Sequence, residues 1–291
     1  MRSIDDCLTD ESSLWRYMSL EHYASLIRKR AVYHPRADRF DDAFEGFLPS
    51  AQVRTPGVPD DFIDPGEGLC APMSRSRLLA STDPEALELA QFHRLLSYVS
   101  CWHRAEHESD AMWRLYAKNT DGVAIVTTVS KLAGEVRKYE ALQRELNDGL
   151  PFNSFTPKLS DVIYVAPVGT VESEDLLFYK RSAYRYEQEM RLVVTHKLRL
   201  RRHEWWLPVE LGSFLVRVVV HPEAGGAEIR KVNEISCGAG VTVQRSDLVS
   251  GVPDWDRVKE KAREEVEKFC KVTEKYPILF PKLPPGDPNE E

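Results

Sequence analysis

The sequence predicts an α+β fold: a mixed, largely antiparallel sheet flanked by helices, with an amphipathic helix near the C-terminus. Three observations carry that expectation. Runs rich in β-branched and aromatic residues, such as 123–129 and 189–195, have strand composition. Several such runs, 206–211 and 215–221 among them, follow one another too closely for the crossover of a dozen or more residues that parallel strands require. Neither G-x-G-x-x-G nor G-x-x-x-x-G-K-[ST] occurs, which counts against dinucleotide-fold and P-loop architectures, and no G-x-S-x-G elbow is present.

Taken in order, residues 1–13 form a polar, acidic leader. Residues 14–18 form an aromatic strand. Ser19 is suited to N-cap the next helix, with His22 at its third position, and Tyr23, Leu26 and Ile27 follow at helical spacing. The basic run Arg28-Lys29-Arg30 suits the negative end of that helix dipole. Residues 32–33 read as a short strand. The Pro-, Gly-, Asp- and Ser-rich stretch 49–76 reads as a long loop. A helix capped by Ser81 or Asp83 runs through Leu87, Ala90, Phe92, Leu95 and Leu96. Strand 98–102, helix 109–118, turn 119–122 and strand 123–129 come next. An exposed amphipathic helix spans 130–146 and a loop 151–157. Strand 162–165, helix 175–184 and strand 189–195 follow. Then come the two strands already cited, a helix over 227–233 and a strand over 241–245. The final helix, 253–272, carries an apolar stripe of Trp255, Val258, Ala262, Val266 and Phe269, with Pro253 and Asp254 at its start. The domain division is a leader (1–13), one α+β domain (14–250), a C-terminal helix packed on it (251–276) and a Pro-rich tail (277–291).

Apolar residues make up 42% and charged residues 29% of the 291, an ordinary globular composition. The net charge of −7 offers no basic nucleic-acid footprint. Five cysteines, an odd number without a C-x-x-C pair, argue against a disulfide framework. With no signal-peptide pattern and no apolar run near the ~20 residues of a membrane span, the expectation is a cytoplasmic protein without a membrane partner.

Four stretches have the residue types of a site. In YRYEQEMRLVV (184–194), strand alternation puts Glu187, Glu189 and Arg191 on one face and Met190, Leu192 and Val194 on the other. Carboxylates roughly 6–7 Å apart on a half-buried face repel, which a chain tolerates where a cation or polarised substrate needs them. The simpler reading is an exposed face on which Arg191 neutralises one glutamate. In LWRYMS (14–19), Arg16 interrupts an aromatic run with a planar fork of donors suited to phosphate or carboxylate, or stacks on Trp15 or Tyr17. FDDAFEG (40–46) orients Arg16, binds a ribose hydroxyl, or simply turns the chain. In Ser100 to Val126, Trp113 and Tyr116 form an aromatic wall or part of the core. Within that stretch His103, Glu106 and His107 match H-x-x-E-H, a metal-protease signature when carried on a helix.

In their order, these blocks resemble a bacterial family known as domain of unknown function 2971. The match rests on Trp15 to Ile27, Asp41 to Gly46, Ser100 to Val126, and Lys180 with Tyr184 to Leu192. The blocks in turn resemble ADP-ribosyltransferases. LWRYMS and its helix ending in LIRKR look like the first motif, in which poly-ADP-ribose polymerases carry LWHGS. Arg16 and the E-x-E of Glu187 and Glu189 look like the Arg-Ser-Glu class. The Ser-Thr-Ser strand of that class is absent, and Ser100 or Tyr116 stands in for it. The resemblance implies an ADP-ribosyltransferase-like fold and a transferase or glycohydrolase using NAD as substrate, with a toxin or antiviral role. Glu189 and Glu187 are then catalytic together with Arg16. The NAD-contacting set is Arg16, Tyr17, Ser19, Asp41, Glu45, Ser100, Trp113, Tyr116 and Arg191. The acceptor of ADP-ribose is a protein, a nucleic acid, a small molecule or water. Two other readings stay open: a non-catalytic ligand-binding or sensor module on the same fold, and a metal-dependent hydrolase using His103, Glu106 and His107.

Overall fold

The structure of the protein, a computed structural model, describes residues 3–40, 51–54, 78–80, 84–146, 155–165, 169–196, 202–249 and 255–275. The chain divides into two units, Met1–Leu248 and Val249–Glu291.

In chain order the first unit contains α1 (Ile4–Cys7), β1 (Ser13–Met18), α2 (Leu20–Lys29), β2 (Ala31–Pro35), β3 (Ala51–Arg54), β4 (Leu78–Ala80), α3 (Pro84–Leu96) and β5 (Ser97–Arg104). It continues with α4 (Asp110–Tyr116), β6 (Val123–Thr128), α5 (Val129–Leu146), β7 (Phe155–Asp161), β8 (Ile163–Val165), β9 (Gly169–Glu172), β10 (Tyr179–Arg181) and β11 (Glu189–His196). It ends with β12 (Glu204–Pro208), α6 (Leu211–Phe214), β13 (Arg217–Val220), α7 (Gly226–Ser236) and β14 (Val243–Arg245). The second unit is described through α8 (Trp255–Lys275), an amphipathic helix. Among the described residues no helix is long and apolar enough to cross a membrane.

Seven strands form the main sheet in the order β14-β13-β6-β1-β5-β11-β7, antiparallel throughout except between β13 and β14. The mixed, mostly antiparallel α+β architecture is therefore as the spacing of the strands predicts. Smaller sheets join β2 with β12, β8 with β10, and β4-β3-β9.

Alternation along the strands sorts the core into layers. Leu14, Tyr98, Trp102, Ile125, Met190, Leu192 and Val194 point to one face, where Leu132, Ala133 and Val136 of α5 cover them. Trp15, Tyr17, Ala124, Val126 and Val219 point to the other, under Met112 and Trp113 of α4. A third cluster gathers Ala37, Val99, Leu177, Phe178 and Val193. Each fully buried aliphatic side chain contributes about 1.5–3 kcal/mol relative to exposure, so these layers hold the sheet in place.

Several expectations need correction. The loop expected over 49–76 contains β3, which pairs with both β4 and β9. The loop over 151–157 gives way to β7, an edge strand in which Pro157 needs no ladder partner on its open side. Instead of a helix over 175–184 there are two 3-10 segments around β10. Leu176, Leu177 and Phe178 are buried consecutively, a pattern that no single helical face supplies. The helix over 130–146 is not an exposed element, since Leu132, Ala133 and Val136 are fully buried. The strands expected over 206–211 and 215–221 are shorter, with α6 between them. The possible caps of α3, Ser81 and Asp83, lie outside the described residues, as do Pro253 and Asp254.

Candidate functional site

The site originates in an incomplete ladder. β1 pairs with β6 along all six residues. It pairs with β5 only at Leu14↔Arg104 and Trp15↔His103. Beyond Trp15 the two strands diverge, and the chain returns through α2 and β2, just after which Arg36 bridges Tyr98 of β5. Ser19 caps α2 by accepting the His22 N–H at 3.3 Å, and Arg30 closes the helix in a left-handed conformation (φ 49°). The result is a cavity of about 340 Å3 at the parting of β1 and β5. Arg16, Tyr17, Cys101, His103, Tyr116, Glu187 and Glu189 line it, with His22, Tyr33 and Trp206.

Glu187 and Glu189 arrive there by a device that strand alternation does not foresee. Glu187 ends a 3-10 segment, Gln188 takes a left-handed conformation (φ 41°), and only then does β11 begin. A non-glycine residue in that region is held at a cost of about 1 kcal/mol or more. Here the neighbouring backbone is fastened from three sides. His103 Nδ1–H donates to the Glu187 carbonyl at 2.6 Å, the Arg104 N–H to the Gln188 carbonyl at 2.9 Å, and the Glu189 N–H to the Tyr164 hydroxyl at 2.8 Å. A carbonyl only accepts, so this contact assigns the His103 proton to Nδ1. Burial pushes the Tyr164 phenol up to about 12, so it stays neutral.

Both carboxylates meet on one cation. Lys180 Nζ lies 2.6 Å from Glu187 Oε2 and 3.2 Å from Glu189 Oε2. Arg191 clasps Glu189 with two parallel bonds, Nε to Oε1 at 2.7 Å and Nη2 to Oε2 at 3.0 Å, and sends Nη1 to the Leu177 carbonyl at 2.6 Å. Burial alone would raise the Glu189 carboxyl, but the Arg191 charge and hydrogen bonds, aided by Lys180 and the Cys101 thiol, hold it down at about 2. Glu189 is thus a buried carboxylate that stays ionised.

Arg16 crosses the gap. Its Nη2 donates to the Tyr33 carbonyl at 2.9 Å, and its guanidinium lies 5.6 Å from the centre of the Trp102 ring. Burial pulls the guanidinium below its ordinary value without threatening its charge. Tyr116, half exposed at the end of α4, forms part of the wall, and burial of its phenol pushes its pKa up.

Of the other expected site residues, Tyr17 is in the cavity lining, whereas Ser19, Ser100 and Trp113 are engaged elsewhere. Tyr17 lines the cavity, and its hydroxyl accepts the Ser109 N–H at 2.8 Å. Trp113 is buried under the sheet against Tyr17 and His221, donating Nε1–H to Glu108 at 2.9 Å. Ser19 is engaged in capping. Ser100 lies on the core face of β5: Trp102 Nε1–H donates to its Oγ at 3.1 Å, and that hydroxyl meets His34 Nε2 at 2.9 Å. Its neighbour Cys101 faces the cavity instead, opposite Arg191 in the β5–β11 register. Asp41 and Glu45 lie outside the described residues. His103 is on strand β5, while Glu106 and His107 are exposed in the turn beyond it. The H-x-x-E-H match is therefore not carried on a helix, and no group of three metal-ligating residues forms among the described residues.

Lys180, Cys101, His22, Tyr33 and Trp206 join the site without having been singled out for it. Lys180 stands in the block with Glu187 and Glu189, and Cys101 follows from the alternation of β5. Tyr33 and Trp206 meet through the β2–β12 pairing, which sequence spacing does not disclose, and His22 joins them from α2.

Residues 112–192 match the model of a family described as "Protein of unknown function (DUF2971)", the family those sequence blocks resemble. The matched segment runs from α4 through β6, α5, β7 and Lys180 to Glu189 and Arg191, and so includes one wall of the cavity. No curated protein and no solved structure matches the chain.

Proposed function

We propose that this cavity binds NAD and that the protein is an ADP-ribosyltransferase-like enzyme, breaking the nicotinamide–ribose bond and passing ADP-ribose to an acceptor or to water. The observation that carries this reading is that Arg16 and an ionised, buried Glu189 line the same cavity. Its volume, about 340 Å3, is within the range of small-molecule sites. Lys180 and Arg191 pair with the two carboxylates, and Arg16 on the cavity wall supplies a planar donor fork suited to an anionic group such as a diphosphate.

When the C1′–N bond breaks, its electron pair leaves with nicotinamide and positive charge builds on the ribose. A carboxylate fixed beside C1′ and already ionised stabilises that charge without reorganising. Glu189 has those properties because Arg191 and Lys180 orient it. Glu187, on the same Lys180, takes the proton that the acceptor hydroxyl, amine or water loses on attacking C1′. Arg16 holds the diphosphate, and Tyr116 stacks on the nicotinamide ring. An effector role, as a toxin or in antiviral defence, follows from the same analogy.

Incubating the purified chain with NAD tests this by chromatography of released nicotinamide. Glu189→Gln is expected to abolish release, and Arg16→Lys to raise KM by losing the bidentate fork. If the unaltered chain releases no nicotinamide, the enzymatic reading falls. A second reading, ligand binding without turnover, is favoured by the complete engagement of Glu189 with Arg191 and Lys180. Saturable NAD binding without nicotinamide release would establish it.

A further inference from the structure

The part of the cavity lining contributed by α2, β2 and β12, elements other than those that carry the carboxylates, is built from aromatic rings. Tyr33 and Trp206 are directly opposite one another in the β2–β12 ladder, with ring centres 5.0 Å apart. The His22 ring runs parallel to Tyr33 within 12°, at 6.2 Å between centres. Lys29 Nζ lies over the Trp206 indole at 3.5 Å, fixing that ring from one side. Neither Tyr33 nor Trp206 is fully buried, and His22 is exposed, although all three line the cavity. Aromatics outside the cavity, such as Trp113 and Trp205, are closed off from solvent. These three therefore present π surface to whatever enters.

Arg16 occupies the ground between these rings and the carboxylates. It reaches the Tyr33 carbonyl on one side and feels Cys101, the neighbour of Glu189, on the other. Aromatic surface, then guanidinium, then paired carboxylates is the sequence of groups complementary to base, diphosphate and ribose in a nucleotide.

We propose that His22, Tyr33 and Trp206 form a stacking subsite for the adenine base, which fixes the direction in which the ligand lies: adenine at β2 and β12, the second ribose at Glu187 and Glu189. This assignment rests on reading the cavity as a nucleotide site, and it adds the part of the ligand each end recognises.

Calorimetric titration with ADP-ribose and with nicotinamide mononucleotide separates the two ends. Trp206→Ala is expected to raise the Kd for ADP-ribose about tenfold, equivalent to about 1.4 kcal/mol, and to leave nicotinamide mononucleotide within twofold. Trp206→Phe retains most of the affinity. The unaltered chain supplies an independent reading: in saturation-transfer NMR with ADP-ribose, the adenine protons are expected to receive more magnetisation than those of the terminal ribose. Equal loss of both ligands in Trp206→Ala, no loss of either, or silent adenine protons would overturn the subsite. Nicotinamide release from NAD with KM unchanged in Trp206→Ala would overturn it while leaving the enzymatic reading intact. Trp206-dependent binding of ADP-ribose without nicotinamide release would support the subsite and remove the enzyme. If the unaltered chain binds neither probe, both fall together.

Discussion

Glu189 ties the stability of the protein to pH in a way that can be measured without any substrate. Its carboxyl is held at about 2 by Arg191 and Lys180 against the effect of burial, compared with 4.5 for an ordinary glutamate. At about 1.36 kcal/mol per pH unit, that gap corresponds to about 3 kcal/mol. The sign follows from proton binding: the unfolded chain takes up the proton first as pH falls. The contribution is therefore fully present above about pH 4.5 and is lost between there and pH 2. Urea unfolding followed by the fluorescence of the six tryptophans gives stability at each pH. Glu189→Gln is less stable at neutral pH, because Arg191 and Lys180 lose a buried partner. Lacking the carboxyl, it also falls less steeply between pH 5 and pH 2.5. The two stability curves should converge by most of the ~3 kcal/mol. Parallel curves over that window would refute the claim that these cations hold the carboxylate ionised. The same argument removes any acid limb due to Glu189 from a rate profile above about pH 4.

Further predictions concern groups away from the cavity. Ser100→Ala strips the partner from Trp102 Nε1–H and from His34 Nε2, both buried. Burial keeps His34 down at about 3, so it cannot respond by charging. A loss of about 1–3 kcal/mol is expected in urea unfolding, and none would mean that the hydroxyl is dispensable. Glu108 accepts from Trp113 Nε1 at 2.9 Å and Ser246 Oγ at 2.8 Å with one oxygen, and from the Asp247 and Leu248 N–H groups with the other. Glu108→Gln turns one of those positions into a donor facing donors. The expected cost is about 1–3 kcal/mol, a fall of roughly 2–4 °C in Tm for each kcal/mol, visible by calorimetry.

What the sequence discloses here is local. Alternation suffices for β11, where Met190, Leu192 and Val194 are all fully buried while Glu189 and Arg191 share the other side. Helical spacing and a capping serine suffice for α2. Glu187 shows where such rules stop: it does not reach Glu189's side by strand periodicity but through the left-handed Gln188, which is stabilised by His103 and Arg104 from a strand more than eighty residues earlier. Ser100 and Cys101 show the complementary difficulty. Alternation along β5 puts them on opposite sides of the sheet, but only the folded pairing shows which partner each meets, His34 for Ser100 and Arg191 for Cys101. The apolar run 176–178 gives no periodicity at all, and tertiary packing settles it as the end of a 3-10 segment rather than an α-helix.

The short ladder between β1 and β5 has a lasting consequence. With main-chain pairing confined to Leu14 and Trp15, the span of the hollow beyond them is governed by side chains that straddle it, Arg16 foremost. A substitution at that position can widen or narrow the opening while every hydrogen bond of the β1–β6 and β5–β11 ladders persists. Recognition can thus be retuned across related chains without rebuilding the scaffold that carries it.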